Sequence, residues 1–573
     1  MVGESAHANQ LRYGSYVLGD EVFRGPDYAK RGKAKYLRML YGGYRWAGVA
    51  GFFPWDNLYR YDDARKAFAD VCVIPRKQTH RLFAGKDNEV LVKVMNDTLS
   101  DAPVTFEWSY DVNGEAVAGE KERLEIEPGF GVERTLSIRA PLTDRRLDGV
   151  LTLRVRHPDA PEYVDVRDVP VLPPVRRLRA NVPLTVLDRS GKVEAFLRSA
   201  GAKFEAVQKL SDARGASGVL IVGPDTLTAD EAFGQDILSF AARGGRVVVL
   251  EQDVPVAGAN LPAPLTATTH YGGYAHPKAL GTPLFRDLGK EDLIDWAGEH
   301  PTYKNVYEKP LQGGRALAEC GEMLKYSPLI EMPCGKGMIL LCQLRVGAKL
   351  GTEPAADVLL RNMIQVCARY RPATGVVAVC APDDPVLAAK VNQTGALVET
   401  VDDPGEALDP TKYRVAVVRA TAKNLRALNR LRGKVEAFQN MGGWIMLCGL
   451  EPGEGLQEFN RLVGQKHMIR PFRIERVTLE NPDYPLAATL GNRDLAMYSN
   501  EWIARWRGQR WISGDVYTYV VDGRDVAPFC QMPGGPRDPL VYRPTKDDKD
   551  PYNFVNGMFS SDFWRYIRQI WVP

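Results

Sequence analysis

Signatures of metal, nucleotide and membrane binding are all missing from this chain. Its eight cysteines, at 72, 320, 334, 342, 367, 380, 448 and 530, contain no CxxC pair and no zinc-ligand spacing, so buried thiols are expected. No GxGxxG follows a strand-like run and no GxxxxGK[ST] occurs, which excludes the usual phosphate cradles and leaves no cofactor to expect. There is no apolar run of about 18 residues, so no membrane span is predicted. The opening Met1-Val2-Gly3-Glu4-Ser5-Ala6-His7 lacks the basic start and apolar core of a secretory signal. Excess charge of one sign is also lacking: 74 basic residues face 71 acidic ones, and nothing advertises a nucleic-acid surface.

What is present is length. At 573 residues, and with about 100 to 200 residues per domain, about four domains are expected. Tyr36, Leu37, Leu40, Tyr41 and Tyr44 recur at three- and four-residue spacing, which predicts a helix over residues 29–44 packed on one side. Gly48-Val49-Ala50-Gly51-Phe52-Phe53-Pro54 then reads as a strand buried on both faces. A helix followed by a buried strand is the rhythm of an α/β barrel. From 76 to 175 the period becomes two, as in Val90, Val92 and Val94, with turn signals at Asn113-Gly114 and Glu127-Pro128-Gly129. That pattern predicts a small antiparallel β-sandwich of Ig-like type, closed by a linker at Pro173-Pro174.

Beyond the linker the chain repeats itself. Residues 199–207 match 393–401, residues 237–250 match 435–448, and Pro283 to Leu293 matches Pro485 to Leu495, in the same order and at a nearly constant offset. Each copy alternates β-branched strands with amphipathic helices. In the first, Thr228 and Glu231 predict a capping box, Phe233, Ile237 and Phe240 an inward face, and Gly244-Gly245 a left-handed exit. Two doubly wound, Rossmann-like domains are expected, over 176–372 and 373–520, with an aromatic-rich segment, 521–573, packing on them.

The stretch from Tyr44 to Trp55 resembles the last helix and eighth strand of the TIM barrel in clan A glycoside hydrolases, the β-galactosidase-type enzymes of families 2 and 42. That resemblance implies that residues 1–75 are the C-terminal remnant of a catalytic barrel. It places Trp55 beneath the sugar, with Trp46 and Asp56 as further substrate-binding residues. Gly3-Glu4-Ser5 resembles the seventh-strand region, where the family keeps its nucleophile, so the resemblance points to Glu4. A retaining glycosidase needs two carboxyl groups about 5 to 5.5 Å apart. The acid/base partner belongs to the fourth strand, which this chain does not contain. An upstream polypeptide completing the barrel is therefore an expected partner, beside a carbohydrate substrate and further copies of the chain.

Thr79 to Lys86, leading into Val94-Met95-Asn96-Asp97, resembles the start of the sandwich that follows such barrels. Tyr326-Ser327-Pro328-Leu329 and Leu341-Cys342-Gln343-Leu344 make the first repeat resemble the glutamine-amidotransferase-like trimerisation domain of some β-galactosidases. The expected activity is thus that of the rear portion of a retaining β-glycosidase, and the alternative is a stand-alone carbohydrate-binding or oligomerisation module. Full-length relatives of this kind are expected to be secreted or periplasmic. Amidotransferase chemistry itself is not expected: the elbow position of the first repeat reads Val249-Leu250-Glu251-Gln252-Asp253, without cysteine, and Cys448-Gly449 in the second aligns Cys448 with Leu250 and lacks the Gly-x-Cys-x-Gly pattern. His270 and His276, without a carboxylate or thiol companion, read as part of a flexible loop rather than a metal site.

Overall fold

The computed structural model describes residues 13–24, 26–49, 61–257, 261–278, 280–298, 301–310, 313–372, 375–394, 396–450, 453–464, 478–479, 490–494 and 530–531. The chain forms two compact units, residues 1–371 and 372–573. The first combines helices, an all-β part and an α/β part, and the second is α/β. The coarse class is therefore several mixed α/β and β parts, as the periodicities require.

Unit one begins with helical residues 13–24 and then α1 (Pro26–Trp46), with α2 (Asp62–Ala67) packed on it. The tyrosine spacing puts α1 to use on more than one side. Ala34, Leu37 and Tyr41 pack with Ala64 and Ala67, while Tyr36 and Met39 lie beside Tyr274 and Ile294. Tyr44 is exposed instead. The strand read over 48–54 is not seen at its start, because residues 47–48 form the turn that ends α1, with Gly48 at φ 75°. Residues 50–54 lie outside the described residues, and no strand precedes Val71 among the described ones.

Two antiparallel sheets follow. One contains β1 (Val71–Pro75), β2 (Asp87–Asn96) and β5 (Phe130–Arg139) in the order β1-β2-β5. The other runs β4-β3-β6-β7, from β3 (Val104–Val112), β4 (Glu115–Leu124), β6 (Gly149–His157) and β7 (Ala160–Asp168). Alternation explains the shared core: Val90, Val92 and Val94 of β2 meet Val104, Phe106, Trp108 and Tyr110 of β3 in one buried cluster. The buried Tyr110 hydroxyl donates to Val169 O at 2.8 Å. Asn113 and Gly114, at φ 52° and 83°, make the left-handed hairpin turn their sequence demands.

The α/β part is built on one sheet in the order β9-β8-β10-β11-β15-β14-β13-β12. Its parallel half comprises β8 (Leu184–Leu187), β9 (Glu205–Ala206), β10 (Val219–Val222), β11 (Arg246–Val249) and β15 (Gly337–Cys342). Antiparallel strands β14 (Tyr326–Cys334), β13 (Arg315–Cys320) and β12 (Ala275–Pro277) extend it. The inner parallel strands β8, β10, β11 and β15 are largely apolar and buried because helices cover both faces, whereas the edge strand β9 is exposed. Helix α4 (Gln235–Ala242) brings Ile237 and Phe240 to one face. Helices α3 (Lys192–Ser199) and α6 (Pro354–Arg369) cover the other, and the short α5 (Val346–Lys349) precedes α6.

The capping box is present: Thr228 N donates to Glu231 Oε2 at 2.9 Å and Glu231 N to Thr228 Oγ1 at 3.3 Å. Phe233 departs from its expected inward place and is 68 % exposed. Gly234 adopts φ 76° and breaks the helix, so the residues before it form a separate 3-10 turn out of phase with α4. Gly244 leaves α4 at φ 105°.

Unit two repeats the parallel theme with β16 (Val376–Cys380), β17 (Leu397–Thr400), β18 (Tyr413–Arg419) and β19 (Trp444–Cys448) in the order β17-β16-β18-β19. Helix α7 (Pro385–Gln393) lies on one face. The other is covered by α8 (Ala422–Arg430), α9 (Arg432–Asn440) and α10 (Glu454–Val463). Phe438 is buried like Phe240, and Gly442 turns at φ 82° like Gly244. The third sequence match also folds twice. Asp292 accepts from Gly289 N at 2.6 Å, and Asp494 accepts from Gly491 N at 2.9 Å.

Candidate functional site

Glu4, Trp55 and Asp56 lie outside the described residues. Trp46 ends α1 half-buried, with Arg76 at 5.4 Å and Lys93 at 5.9 Å from its ring centroid, while Lys93 Nζ donates to Trp46 O at 2.9 Å. Cations from the sandwich thus hold this ring.

Between Ser15 and Arg45 the described residues are tied down at several points. Met323 N donates to Ser15 Oγ at 3.0 Å, and the His276 ring bonds Tyr16 O at 3.1 Å. Lys35 pairs with Glu291 at 2.9 Å, Arg38 with the buried Asp165 at 2.7 Å, and Arg45 with Asp97 at 2.7 Å. Arg167 and Arg38 together hold the Asp165 carboxyl down at about 2 despite its burial. Leu324 inserts between Val22, Phe23 and Ala29, and both Met323 and Leu324 adopt positive φ to reach that position.

The stretch from Thr79 to Lys86, which leads into the antiparallel sheets, is also a joint. Arg81 is buried and pairs with buried Glu353 through Nε at 2.8 Å, and it also donates to Thr79 Oγ1, Glu291 O and Asp295 O. Glu353 in turn accepts from Ala297 N at 2.9 Å and Ala355 N at 3.3 Å, so the carboxylate that pairs Arg81 also caps α6. Beside it, burial and the neighbouring Arg167, Lys77 and Arg81 push the His80 imidazole down to about 3. That ring is neutral at physiological pH.

At the carboxyl ends of the parallel strands, where open α/β sheets bind ligands, the first repeat is filled by its own side chains. Asp188 follows β8 and accepts from Val193 N and Glu194 N at 2.7 and 3.2 Å, which caps α3. Glu251 stands at the elbow after β11, fully buried, and accepts from Gly347 N at 3.1 Å and Ala348 N at 2.7 Å. Burial raises its carboxyl to about 7 against those two hydrogen bonds. Gln252 accepts from Thr226 N and Leu227 N and donates to Gly223 O and Leu250 O. Gln343 accepts from Gln252 N and donates to Gln252 O and Asn305 O. Lys304 bridges Asp225 and Asp253 at 2.6 and 2.7 Å. The donors aimed at this elbow are thus spent on protein acceptors. Sequence reading recognised that the elbow lacks a thiol; a glutamate directly after an apolar strand was the available sign of a buried carboxylate.

The described thiols are free, and burial raises those of Cys320, Cys342 and Cys448, which opposes nucleophile chemistry. The two histidines separate. His276 is not in a flexible loop: it lies half-buried in β12, because the strand pairs with β13 and its ring bonds Tyr16 O. His270 packs 4.7 Å from the Tyr326 ring, with Nε2 3.3 Å from the Tyr303 hydroxyl. Among the described residues no three His, Cys, Asp or Glu side chains are grouped to hold a metal.

No family model and no curated protein matches the chain. Solved structures match short stretches. The C-terminal domain of wzt is 12 % identical over 18 % of this chain and 73 % of its own, with a TM-score of 0.14. The CARDB domain of the PF1109 protein from Pyrococcus furiosus, in complex with di-metal ions, is 20 % identical over 18 % and 90 %, at 0.14. Spo0M, a sporulation control protein from Bacillus subtilis, is 15 % identical over 18 % and 49 %, also at 0.14. Likeness of that size carries no argument for fold or function.

Proposed function

We propose that this chain is the rear portion of a retaining β-glycosidase, in which Glu4 is the nucleophile and Trp55, with Trp46 and Asp56, lines the sugar subsite. In this reading the sandwich and the two amidotransferase-like repeats are non-catalytic supports. One observation carries it. The helical segment between Glu4 and Trp55 is braced at Ser15, Tyr16, Lys35, Arg38 and Arg45 by the sandwich and the first repeat. A covalent mechanism needs its nucleophile held to within about 0.5 Å, a requirement that favours placing it next to a braced segment. The sealed elbow at Glu251 is consistent with a supporting role for that repeat.

Co-expressing the chain with the polypeptide encoded upstream and treating the complex with an activated 2-fluoro glycoside tests this. The expected result is one trapped glycosyl ester, mapped to Glu4 and absent in Glu4→Gln. A label on another carboxylate, or unchanged turnover in Glu4→Gln, rejects the assignment. A complex that binds oligosaccharide yet turns over no glycoside favours a carbohydrate-binding or oligomerisation module.

A further inference from the structure

Strand β19 ends the sheet of the second unit among the described residues, with β18 on one side and a bare edge on the other. Its sequence, Trp444-Ile445-Met446-Leu447-Cys448, is wholly uncharged, contains no proline, and keeps an unbroken register with β18. Edges left to water are guarded by charge, proline, bulges or shortness, because a bare row of N–H and C=O groups pairs with whatever strand it meets. The other edge strands of this protein follow that rule. Strand β4 carries Glu120, Lys121, Glu122 and Arg123, β7 carries Pro161 and Glu162, β12 ends on Pro277, and β9 is two residues long. The edge of β19 is built as an inner strand is built.

The first repeat shows what such an edge takes. There β11, the counterpart of β19, has β15 beside it in parallel, with Val248 opposite Leu340 and Val249 opposite Leu341. Strand β15 is reached through β14, where Glu331 pairs with Leu340. The same passage recurs late in the chain. Ser327-Pro328-Leu329-Ile330-Glu331-Met332-Pro333-Cys334-Gly335 matches Ala527-Pro528-Phe529-Cys530-Gln531-Met532-Pro533-Gly534-Gly535, with both prolines, the methionine and the last glycine identical. Continuing without a gap, Ile339-Leu340-Leu341-Cys342 falls on Pro539-Leu540-Val541-Tyr542. Proline stands at the first place of that run, where a strand tolerates it. The counterparts of Ile330 and Glu331, Cys530 and Gln531, are themselves in a strand, paired antiparallel with Thr478–Leu479 of the same unit.

We infer that the edge of β19 is the docking site for residues 539–542 of this chain, added as a parallel strand in the place that β15 takes beside β11. The inference is independent of the glycosidase reading. It makes the stretch after Gln531 the continuation of the second repeat and not a separate appendage. Transferring the register of β11 and β15 puts Met446 opposite Leu540 and Leu447 opposite Val541. Main-chain hydrogen bonds supply the attachment, as in any added strand. The docking closes the edge and leaves the face bearing Met446 as it is.

Hydrogen exchange on the full chain tests this. The amides of β19 should be protected about as well as those of the inner strand β18. Val541→Pro removes one strand N–H and should speed exchange in β19 about tenfold or more, with β18 unmoved. If that variant does not fold, Tyr542→Cys carries the test. The transferred register sets position 542 opposite native Cys448, and neighbouring strands about 5 Å apart are within disulfide reach. Mild oxidation should then link the two positions within one chain, as mapped by mass spectrometry. Exchange of β19 at the rate of a bare edge, or rates unmoved by Val541→Pro, overturns the inference. So does a Tyr542→Cys variant that links to another cysteine, links only between chains, or does not link at all.

Discussion

Strands β11 and β19 occupy the same place in the two repeats and have different fates. Val247 and Val249 of β11 and Ile445 and Leu447 of β19 face the helices on one side, beside Phe240 and Phe438. On the other side Val248 is 0 % exposed beneath α6, whereas Met446, its sequence counterpart, is 59 % exposed and Trp444 is 50 % exposed. The strand alone does not decide burial. What decides it is the helix laid across it, and among the described residues the second unit has only α7 on that face.

Placing a charge on each strand breaks or sharpens this comparison most strongly. Val248→Asp buries a carboxylate with no partner and should cost about 5 kcal/mol or more, enough to lose the folded first unit. Met446→Asp should stay within about 0.5 kcal/mol of the parent. Urea unfolding followed by limited proteolysis reads each unit separately. Similar losses at both positions would show that the face bearing Met446 is covered after all.

The next effect concerns what holds the covering helix. Glu353 caps α6 and pairs with Arg81, so Glu353→Ala leaves a buried guanidinium without its carboxylate and should cost about 3 to 5 kcal/mol. Hydrogen exchange should then rise across α6 and at Val247 to Val249 together. Exchange confined to the sandwich side would mean that the pair fixes the joint and not the cover.

The comparison also separates what the sequence states from what it hides. Period-two and apolar-run patterns, Thr228 with Glu231, and the Gly244 and Gly442 exits are local, and each appears where the chain spells it. Phe233 was misplaced because a single left-handed Gly234 shifted the helix phase. Arg81 and Glu353 stand 272 residues apart, and Lys35 and Glu291 stand 256 apart. No spacing rule sees such pairs; only folding makes them neighbours. The difference between Val248 and Met446 is likewise invisible locally, since both sit in apolar runs after the same helix. Of the residues expected at the sugar site, only Trp46 falls among those described.

The elbow offers a comparison that titrates. Glu251 aligns with Gly449, which carries no side chain and turns at φ 66°. A carboxyl raised from 4.5 to about 7 in the folded state stabilises fully below pH 4.5, and that contribution is lost as pH rises through 7. Relative to Glu251→Gln, the first unit should therefore lose about 3 kcal/mol between those limits. His80 acts with opposite sign. Its folded value is depressed from 6.5 to about 3, so its contribution is present above 6.5 and lost as pH falls toward 3. Subtracting the variant's pH profile cancels the His80 slope, and a flat difference would mean that Glu251 is not held at an elevated pKa.

The smallest effect asks whether the repeats differ where they should not. Thr421 Oγ1 accepts from Asn424 N at 3.2 Å and caps α8, as Thr228 caps its own turn by accepting from Glu231 N. A cap satisfies donors within its own first turn, so its contribution does not depend on whether a distant face is covered. Thr421→Ala and Thr228→Ala should each cost about 1 kcal/mol in their own unit, by denaturant midpoint at unchanged slope. If Thr421→Ala instead flattens the transition, the second unit does not unfold as one cooperative body, and the open face beside Met446 would account for it.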